Sequence, residues 1–212
     1  MVVTDMKKII LASKSPRRQE LLSQIRVPFE VRPSTIREEM IGNNPEEIVI
    51  NLSRQKCEDS ASAELRDGGQ RSLIMAGEDR VVLGADTIVV LDNQILGKPG
   101  SYRDAVAMLT ALQGRTHQVY TGVTFARLSV NDLVAEESFA VCTEVDVFPM
   151  TEKEIRDYVS TGDPSDKAGA YGIQGEFARY IKGIRGDYNN VVGLPVSEVY
   201  RHLKNWGFFE SK

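Results

Sequence analysis

Apolar and polar positions along this chain follow two periods, one typical of strands and the other of helices. The run KKIILA predicts a short buried strand. Behind it, Ser15 offers an N-cap and Pro16 a first helical position, while Leu21, Leu22 and Ile25 recur at helical spacing. The pattern therefore predicts a strand that leads directly into a helix.

The same two periods, together with capping residues and prolines, predict the remaining strands and helices. FEVR predicts a second strand, Asn44-Pro45 opens a second helix, and VVLGADTIVVLD predicts an apolar strand that the tetrapeptide GADT interrupts. HQVYTGVTFARL and ESFAVCTEVDVF predict two long antiparallel strands, and a capping box at Thr151 starts another helix. FARYIKGI predicts a late strand, and Leu194-Pro195 leads into the final helix.

Strands and helices mix without strict βαβ alternation, which predicts an α/β or α+β fold with a mixed sheet. These elements fit either one continuous domain or two lobes around a cleft. The segment DGGQRSLIMAGEDR, residues 67–80, has the composition of an exposed loop. No internal repeat or flexible linker divides the sequence.

Charge and composition narrow the classes of function. With 26 Lys and Arg against 30 Asp and Glu, the formal net charge is −4, whereas nucleic-acid-binding domains are usually basic. No run reaches the ~18 apolar residues of a membrane span, and no leader pattern is present. Two cysteines far apart in sequence predict a reducing compartment. We therefore expect a cytoplasmic protein with neither nucleic acid nor membrane as a partner.

The stretch SKSPRR brings several anion-binding groups to the predicted start of the first helix. A helix N-terminus exposes unpaired N–H groups and the positive end of the helix dipole. The hydroxyls of Ser13 and Ser15 can donate hydrogen bonds, and the guanidinium forks of Arg17 and Arg18 suit phosphate oxygens. The stretch fits a phosphate cradle or an ordinary capped helix with two solvated arginines, and the spacing leaves both open.

One acidic residue, Asp86, breaks the apolar strand VVLGADTIVVLD. Buried strands rarely hold an unpaired aspartate, so this carboxylate caps a turn, pairs with a cation or binds a metal. Lys98, in the following GKP, can reach Asp86 as an ion pair or act as a phosphate clamp. Glu38 and Glu39 follow the FEVR strand, and Lys56 lies on the second predicted helix. Such charges would suit phosphate hydrolysis, which requires metal-binding or base-acting carboxylates, but charged residues of loops are usually only solvated, and the sequence leaves both interpretations open.

The segment DKAGAYGIQG places three glycines three residues apart. That spacing permits tight turns and the close approach of a flat ligand to the backbone. Tyr171 could stack on such a ligand, and Gln174 offers a hydrogen-bond donor and an acceptor together. The alternative interpretation is a glycine-rich surface loop without a ligand.

Five motifs in order, SxSPRR, GADT with a following GKP, VYTGV, DKAGAYGIQG and GLP, resemble the Maf family of nucleoside triphosphate pyrophosphatases. The similarity runs from about Lys8 to the final helix. It implies one Maf-like domain over residues 1–212, of mixed α/β class. The implied architecture is a long twisted mixed sheet flanked by helices, with two lobes around a cleft, as in inosine-triphosphate pyrophosphatases. It also implies hydrolysis of a nucleoside triphosphate to the monophosphate and pyrophosphate with a divalent cation, Mg²⁺ or Mn²⁺.

The family resemblance assigns roles to the cationic and hydroxyl candidates. Ser13, Arg17 and Arg18 would hold the phosphates of the substrate. Lys56 and Lys98 would balance the negative charge that develops on the phosphate oxygens during the reaction. These five residues would therefore form the phosphate-binding side of the site.

The resemblance also assigns roles to the carboxylates. Asp86 would act as the general base or, together with Glu38, as a metal ligand. The family often shows Asp-Glu where this chain has Arg37-Glu38-Glu39, so either glutamate is a candidate to face the site. The sequence does not decide whether Asp86 is the general base or a metal ligand.

The family divides by substrate, and three positions here fall on the dTTP/UTP side. Arg17, Thr87 and Gln174 match that branch, whereas the branch acting on 7-methyl-GTP has tryptophan, glutamine and a glutamate-bearing loop there. Thr87 and Gln174 are therefore expected to bind the substrate. The resemblance implies a house-cleaning pyrophosphatase for dTTP, UTP and modified analogues, and a homodimer.

Two alternative functions remain beside this one. The first is a broader pyrophosphatase that prefers other modified nucleotides. The second, of a different class, is a regulatory or nucleic-acid-binding factor, because the family is also described as inhibiting septum formation. The acidic net charge and the complete set of catalytic candidates count against that second class.

Overall fold

The predicted apolar runs form one mixed sheet in the computed structural model, which describes residues 8–66, 80–129 and 132–209. Within these ranges the strands are β1 (Ile9–Leu11), β2 (Phe29–Val31), β3 (Arg80–Leu91), β4 (Gln94–Leu96), β5 (Thr116–Ser129), β6 (Asp132–Val147) and β7 (Ile181–Arg185). Their order is β2-β1-β3-β5-β6-β7, with β4 beside β3. β1 runs parallel to β2 and β3, and the other pairs are antiparallel. The predicted mixed α/β class is confirmed.

Helices flank this sheet, and four of them begin where the sequence predicted a helix, after Ser15, Asn44, Thr151 and Pro195, whereas the short helix at Tyr188–Val192 was not predicted. Those of the described residues are α1 (Pro16–Gln24), α2 (Pro45–Arg66), α3 (Tyr102–Leu112), α4 (Glu152–Ser160), α5 (Tyr188–Val192) and α6 (Val196–Asn205). The capping box at Thr151 is present, because its hydroxyl accepts from the Glu154 N–H and the Glu154 carboxylate accepts in return. In the same ranges, no helix is long and apolar enough to cross a membrane.

Two segments predicted from the sequence are not confirmed as strand and loop: one has a different structure, and the other lies almost wholly outside the described residues. FARYIKGI is only half strand, because Glu176–Tyr180 form a 3₁₀ turn and β7 begins at Ile181. In that turn Phe177 and Tyr180, three residues apart, both bury their rings on one side. The loop predicted for residues 67–80 lies, apart from Arg80, outside the described residues, and the single-domain boundary of 1–212 stays a prediction.

Alternate residues of the central strands point to opposite faces of the sheet. On one face, Ile10 of β1 and Val82 of β3 pack against Cys57 of α2. On the other face, Leu11 and Leu83 join the larger core, to which α1, α3, α4 and α6 contribute. Helix α2 therefore covers one face of the central strands, and several shorter helices cover the opposite one.

Helix α2 rests directly on the backbone of the sheet. A Cβ atom at Gly84 of β3 would lie 2.3 Å from the carbonyl oxygen of Ser53, and one at Gly122 of β5 would lie 2.2 Å from that of Val49. Only glycine fits at such distances, which is how a glycine inside a strand marks a close backbone approach. These two glycines, in the GADT and VYTGV motifs, set the distance between α2 and the strands.

The GADT residues lie beside a gap in the pairing of β3. β5 pairs with one edge of β3 along residues 80–90. On the opposite edge, β1 pairs with residues 81–83 and β4 with residues 89–91. None of the described strands covers the edge between them, where Asp86 and Thr87 lie. The prediction that GADT interrupts this strand is therefore wrong, because β3 continues through all four residues. What is missing at this point is a neighbouring strand on one edge of β3.

Candidate active site

A cleft opens at this gap. Its main cavity has a volume of about 450 Å³, within the usual range for small-molecule sites, and it adjoins a second cavity of about 380 Å³. All the predicted site residues line one or both of them: Ser13, Arg17, Arg18, Glu38, Lys56, Asp86, Thr87, Lys98 and Gln174. Residues that are far apart in sequence therefore meet in one cleft, and their individual roles stay predictions.

β3 sends neighbouring GADT side chains to opposite faces of the sheet. Asp86 points to the side of α2, where Lys56 Nζ donates a hydrogen bond to its Oδ1. Thr87 points to the side of α1, where Arg18 Nη2 donates to its Oγ1 at 3.1 Å. Because this edge of β3 is open, both side chains reach the same cleft.

The ammonium group of Lys56 links the two candidate carboxylates. Its Nζ contacts Asp86 Oδ1 and lies 3.2 Å from Glu38 Oε1. The side chains of Lys56 and Asp86 are only 13% and 16% exposed, whereas that of Glu38 is 41% exposed. Of the two adjacent glutamates, Glu38 lines the cleft, and the backbone of Glu39 exchanges two hydrogen bonds with the Gln55 side chain, at 2.9 and 2.7 Å.

The two carboxylates of the cleft match part of the usual donor set of a divalent cation. Within the described ranges, no group of three or more His, Cys, Asp and Glu side chains is arranged to bind a metal. Asp86 and Glu38 nevertheless converge on one cationic group, the Lys56 ammonium. Mg²⁺ is usually bound by one or two carboxylates together with phosphate oxygens and water. The pair of carboxylates is therefore a suitable donor set for such an ion.

Arg18 is tied into the protein by three hydrogen bonds. Its Nε donates to Gly193 O at 2.8 Å, Nη1 to Ser13 Oγ at 3.0 Å and Nη2 to Thr87 Oγ1 at 3.1 Å. The residue is 8% exposed, and burial lowers the pKa of its guanidinium while nearby Asp86 raises it. Arg18 therefore joins the start of α1, the open edge of β3 and the end of α5 beneath the cleft.

Arg17 differs from its neighbour in both exposure and partners. Its side chain is 31% exposed, and its Nη1 lies 3.7 Å from Asp166 Oδ2. Asp166 in turn accepts a hydrogen bond from Lys167 Nζ at 2.8 Å. A loose ion pair of this kind is easily exchanged for a phosphate oxygen. Of the two arginines, Arg17 is therefore better placed to bind a ligand.

The hairpin of β3 and β4 brings Lys98 to the cleft. Its side chain is exposed and lines both cavities. Asp86 pairs with Lys56, so the predicted ion pair between Lys98 and Asp86 is not the one that forms. The other predicted role, a phosphate clamp, is compatible with an ammonium group at the open side of the cleft.

Lys167 is a cleft residue that the sequence analysis missed. Its Nζ donates to Asp163 O at 2.6 Å and to Asp166 Oδ1 at 2.8 Å, and its side chain is 13% exposed. Gly172 leaves room for this side chain, because a Cβ there would lie 2.8 Å from Lys167 Cε. The available signal was the charged Asp-Lys pair at the start of DKAGAYGIQG.

The glycine-rich segment folds as tight turns around a buried tyrosine. Gly169 and Gly175 have φ values of +68° and +85°, which glycine adopts without strain. Tyr171 is 5% exposed in the hydrophobic core, and its hydroxyl lies 2.7 Å from Nε2 of His117, whose pKa burial lowers to about 4. Tyr171 also lines the main cavity, so its stacking on a ligand stays a prediction. Tyr171 anchors the segment, whereas Gln174 is exposed at the cleft.

Comparison with known proteins places the chain in a family. The protein-family model described as Maf-like protein matches residues 8–206 of this chain. A dTTP/UTP pyrophosphatase of Agathobacter rectalis is 50% identical over 202 residues, which cover 95% of this chain and 98% of that protein. Proteins of the same name from Carboxydothermus hydrogenoformans and Halalkalibacterium halodurans are each 46% identical, over 95% and 96% of this chain and 100% and 98% of theirs. The chain belongs to the Maf family, as its five motifs predicted.

Solved structures show a weaker likeness. A nucleoside-triphosphatase / dITP/XTP pyrophosphatase from Mycobacterium abscessus has a TM-score of 0.39 and 11% identity, over 94% of this chain and 95% of that one. The Ham1 protein of Staphylococcus aureus has a TM-score of 0.41 and 11% identity, over 94% of this chain and 99% of that one. A likeness of this size supports no conclusion about function.

Proposed function

We propose that this protein hydrolyses dTTP, UTP and modified pyrimidine analogues to the nucleoside monophosphate and pyrophosphate. The observation that carries the proposal is the Lys56 ammonium held between Asp86 and Glu38 in a cleft that Arg17 also lines. Carboxylates beside a cationic, phosphate-binding wall are the groups that phosphate hydrolysis needs. The activity named for the relatives at 50% and 46% identity supports the choice of substrate.

The cationic wall of the cleft binds and orients the triphosphate. Arg17 and Lys98 supply charge-assisted hydrogen bonds to phosphate oxygens. The N-terminus of α1, where Ser15 lines the cleft, adds unpaired N–H groups and the positive end of the helix dipole. Lys56 stays between the carboxylates and stabilises the negative charge that increases as the phosphate bond breaks.

The carboxylates serve the hydrolytic step itself. In one role, Asp86 accepts a proton from the attacking water. In the other, Asp86 and Glu38 would hold the divalent cation, and another base would accept the proton of the water. The water oxygen forms a bond to the α-phosphorus, the bond from that phosphorus to its bridging oxygen breaks, and pyrophosphate leaves with the electron pair. A bound Mg²⁺ or Mn²⁺ would supply charge neutralisation on the phosphate oxygens.

A screen of pyrophosphate release over a nucleotide panel tests the proposal. We expect release from dTTP and UTP with Mg²⁺ or Mn²⁺, and loss of release when a chelator removes the cation. Preference for other modified nucleotides would favour the broader pyrophosphatase. Absence of release from every nucleotide would favour the regulatory or binding class instead.

Alanine at the two neighbouring arginines should have different effects. Arg17→Ala is expected to raise KM for dTTP and UTP alike, with a change in the free energy of unfolding within about 0.5 kcal/mol. Arg18→Ala removes the donor to the Gly193 carbonyl, to Ser13 Oγ and to Thr87 Oγ1, and should lower the free energy of unfolding by about 1–3 kcal/mol. Urea unfolding and pyrophosphate-release kinetics measure both effects. Equal stability of the two variants would contradict the structural role of Arg18.

Three further proposals rest on the family resemblance. We propose a cytoplasmic location, a homodimeric state and a link to the inhibition of septum formation on that basis alone. Light scattering of the purified protein measures the oligomeric state.

A further inference from the structure

Behind Thr87 lies a chain of hydrogen bonds buried from solvent. Thr87 Oγ1 lies 2.9 Å from Thr121 Oγ1, which lies 3.0 Å from the carbonyl oxygen of Asn190. Thr121 and Asn190 are both 0% exposed. The Asn190 side chain is held in turn, because its Nδ2 donates to Val119 O at 3.0 Å and to Thr143 Oγ1 at 2.9 Å. The chain therefore ends on an acceptor that is fixed in place.

The number of available protons fixes the direction of each hydrogen bond. A hydroxyl has one proton and two lone pairs, a carbonyl only accepts, and a guanidinium only donates. Thr121 gives its proton to the carbonyl of Asn190, since a buried carbonyl without a partner is destabilising. Thr87 therefore gives its proton to Thr121, and Arg18 Nη2 occupies one of the two Thr87 lone pairs. Thr87 has one lone pair, and no proton, left for a ligand.

We propose that Thr121 is a positioning residue for substrate choice, because it holds the Thr87 hydroxyl as an acceptor only. The cleft then takes a base that presents a hydrogen-bond donor to Thr87. Uracil and thymine carry such a donor, the imino N3–H, whereas cytosine has a lone pair on N3. This inference rests on the proposed function. It assigns N3–H to Thr87 and leaves the amide N–H of Gln174 for the O4 oxygen.

The sugar of the substrate is not the group that this arrangement selects. A ribose hydroxyl both donates and accepts, so it suits Thr87 in either orientation of the threonine proton. The N3 position of a pyrimidine has one fixed polarity and does not adapt. UTP and CTP share their sugar and phosphates, so a comparison of the two isolates the base.

The variant Thr121→Val tests this series of hydrogen bonds at a buried residue that does not touch the substrate. Valine keeps the shape but removes the acceptor of the Thr87 proton, which is then free to turn into the cleft and donate to N3 of cytosine. We expect the ratio of kcat/KM for UTP to that for CTP to fall by about 5-fold or more. Thr121→Ser keeps the hydroxyl and should keep the wild-type ratio.

Thr124→Val is a matched control on the same strand. Thr124 is also 0% exposed, and its hydroxyl lies 2.8 Å from Ser53 Oγ and 2.9 Å from Ser138 Oγ on the opposite face of the sheet. Both variants remove a buried hydroxyl from β5, so a general loss of stability should be similar in the two. Only Thr121→Val should change the UTP to CTP ratio.

The outcomes separate this inference from the proposed function. A wild type that releases no pyrophosphate from UTP contradicts both, whereas an active Thr121→Val with an unchanged ratio contradicts the inference alone. A wild type that cleaves CTP as fast as UTP also overturns the inference. If Thr121→Val does not fold, Thr87→Val replaces it. Thr87→Val removes the oxygen that accepts from N3–H, so it should lower kcat/KM for UTP and with it the ratio of UTP to CTP. An unchanged ratio in Thr87→Val overturns the inference.

Discussion

Asp86→Asn should lower the turnover of dTTP and UTP by at least ~10²-fold. Asparagine keeps the shape of the side chain, and its Oδ1 can still accept the hydrogen bond from Lys56 Nζ. The change removes the negative charge and the basicity, which both candidate roles of Asp86 require. Pyrophosphate release with Mg²⁺ measures the effect, and circular dichroism checks that the variant is folded.

Asp92→Asn controls for the same change of charge away from the cleft. Asp92 is exposed in the turn between β3 and β4, pairs with Arg115 at 2.7 Å and has a φ of +50°, which asparagine tolerates. It should keep close to the wild-type rate. A folded Asp86→Asn variant with a similar rate would remove Asp86 from the mechanism. Recovery of that variant at high Mn²⁺ would favour the role of metal ligand for Asp86, whereas a low rate at every Mn²⁺ concentration would favour the role of base.

Gln174→Glu should reverse the preference among bases. An ionised carboxylate only accepts hydrogen bonds, so it would face the O4 oxygen of uracil or thymine with like polarity. The lost hydrogen bond is worth about 1–3 kcal/mol, which lowers kcat/KM for dTTP and UTP by roughly 5- to 150-fold. Guanine presents two adjacent donors to the same carboxylate, so hydrolysis of guanine nucleotides should be spared or raised. Pyrophosphate release over a panel of both kinds of nucleotide measures the reversal.

Gln94→Glu is the control for an added charge near the cleft. Gln94 is an exposed residue of β4, the strand that borders the gap in β3, and it lies outside both cavities. It should leave the order of preference among nucleotides unchanged. If Gln174→Glu lowers the rate equally for every nucleotide, Gln174 supports its glycine-rich segment and does not read the base.

Local signals in the sequence were enough to predict much of the fold. Pro16 and Thr151 mark helix starts because capping depends on residues within one turn, and both helices begin there. The alternating apolar runs gave the long antiparallel pair β5 and β6 in the same way. The location of the candidate site followed from motif resemblance, and the cleft brings those motifs together.

What the sequence did not predict depends on contacts between distant residues. The burial of Tyr171 had no local signal, because the residue that holds its hydroxyl inside the core, His117, lies 54 positions away. SPRR gave no reason to separate its arginines, because the partner that buries Arg18 is the carbonyl of Gly193. The acceptor chain through Thr121 was equally hidden, since a hydroxyl in an apolar strand has no local pattern that shows its partner.

The backbone contact of α2 with the sheet also determines how the site responds to change elsewhere in the protein. Lys56 follows Ser53 by one helical turn, and Asp86 follows Gly84 by two residues on the same face, so the contact point lies directly beside this ion pair. No layer of side chains separates the helix from the strand there. The spacing of Lys56 and Asp86 is therefore set at this point by a direct contact of two backbones, so any side chain added at Gly84 would move the ion pair as well as the helix.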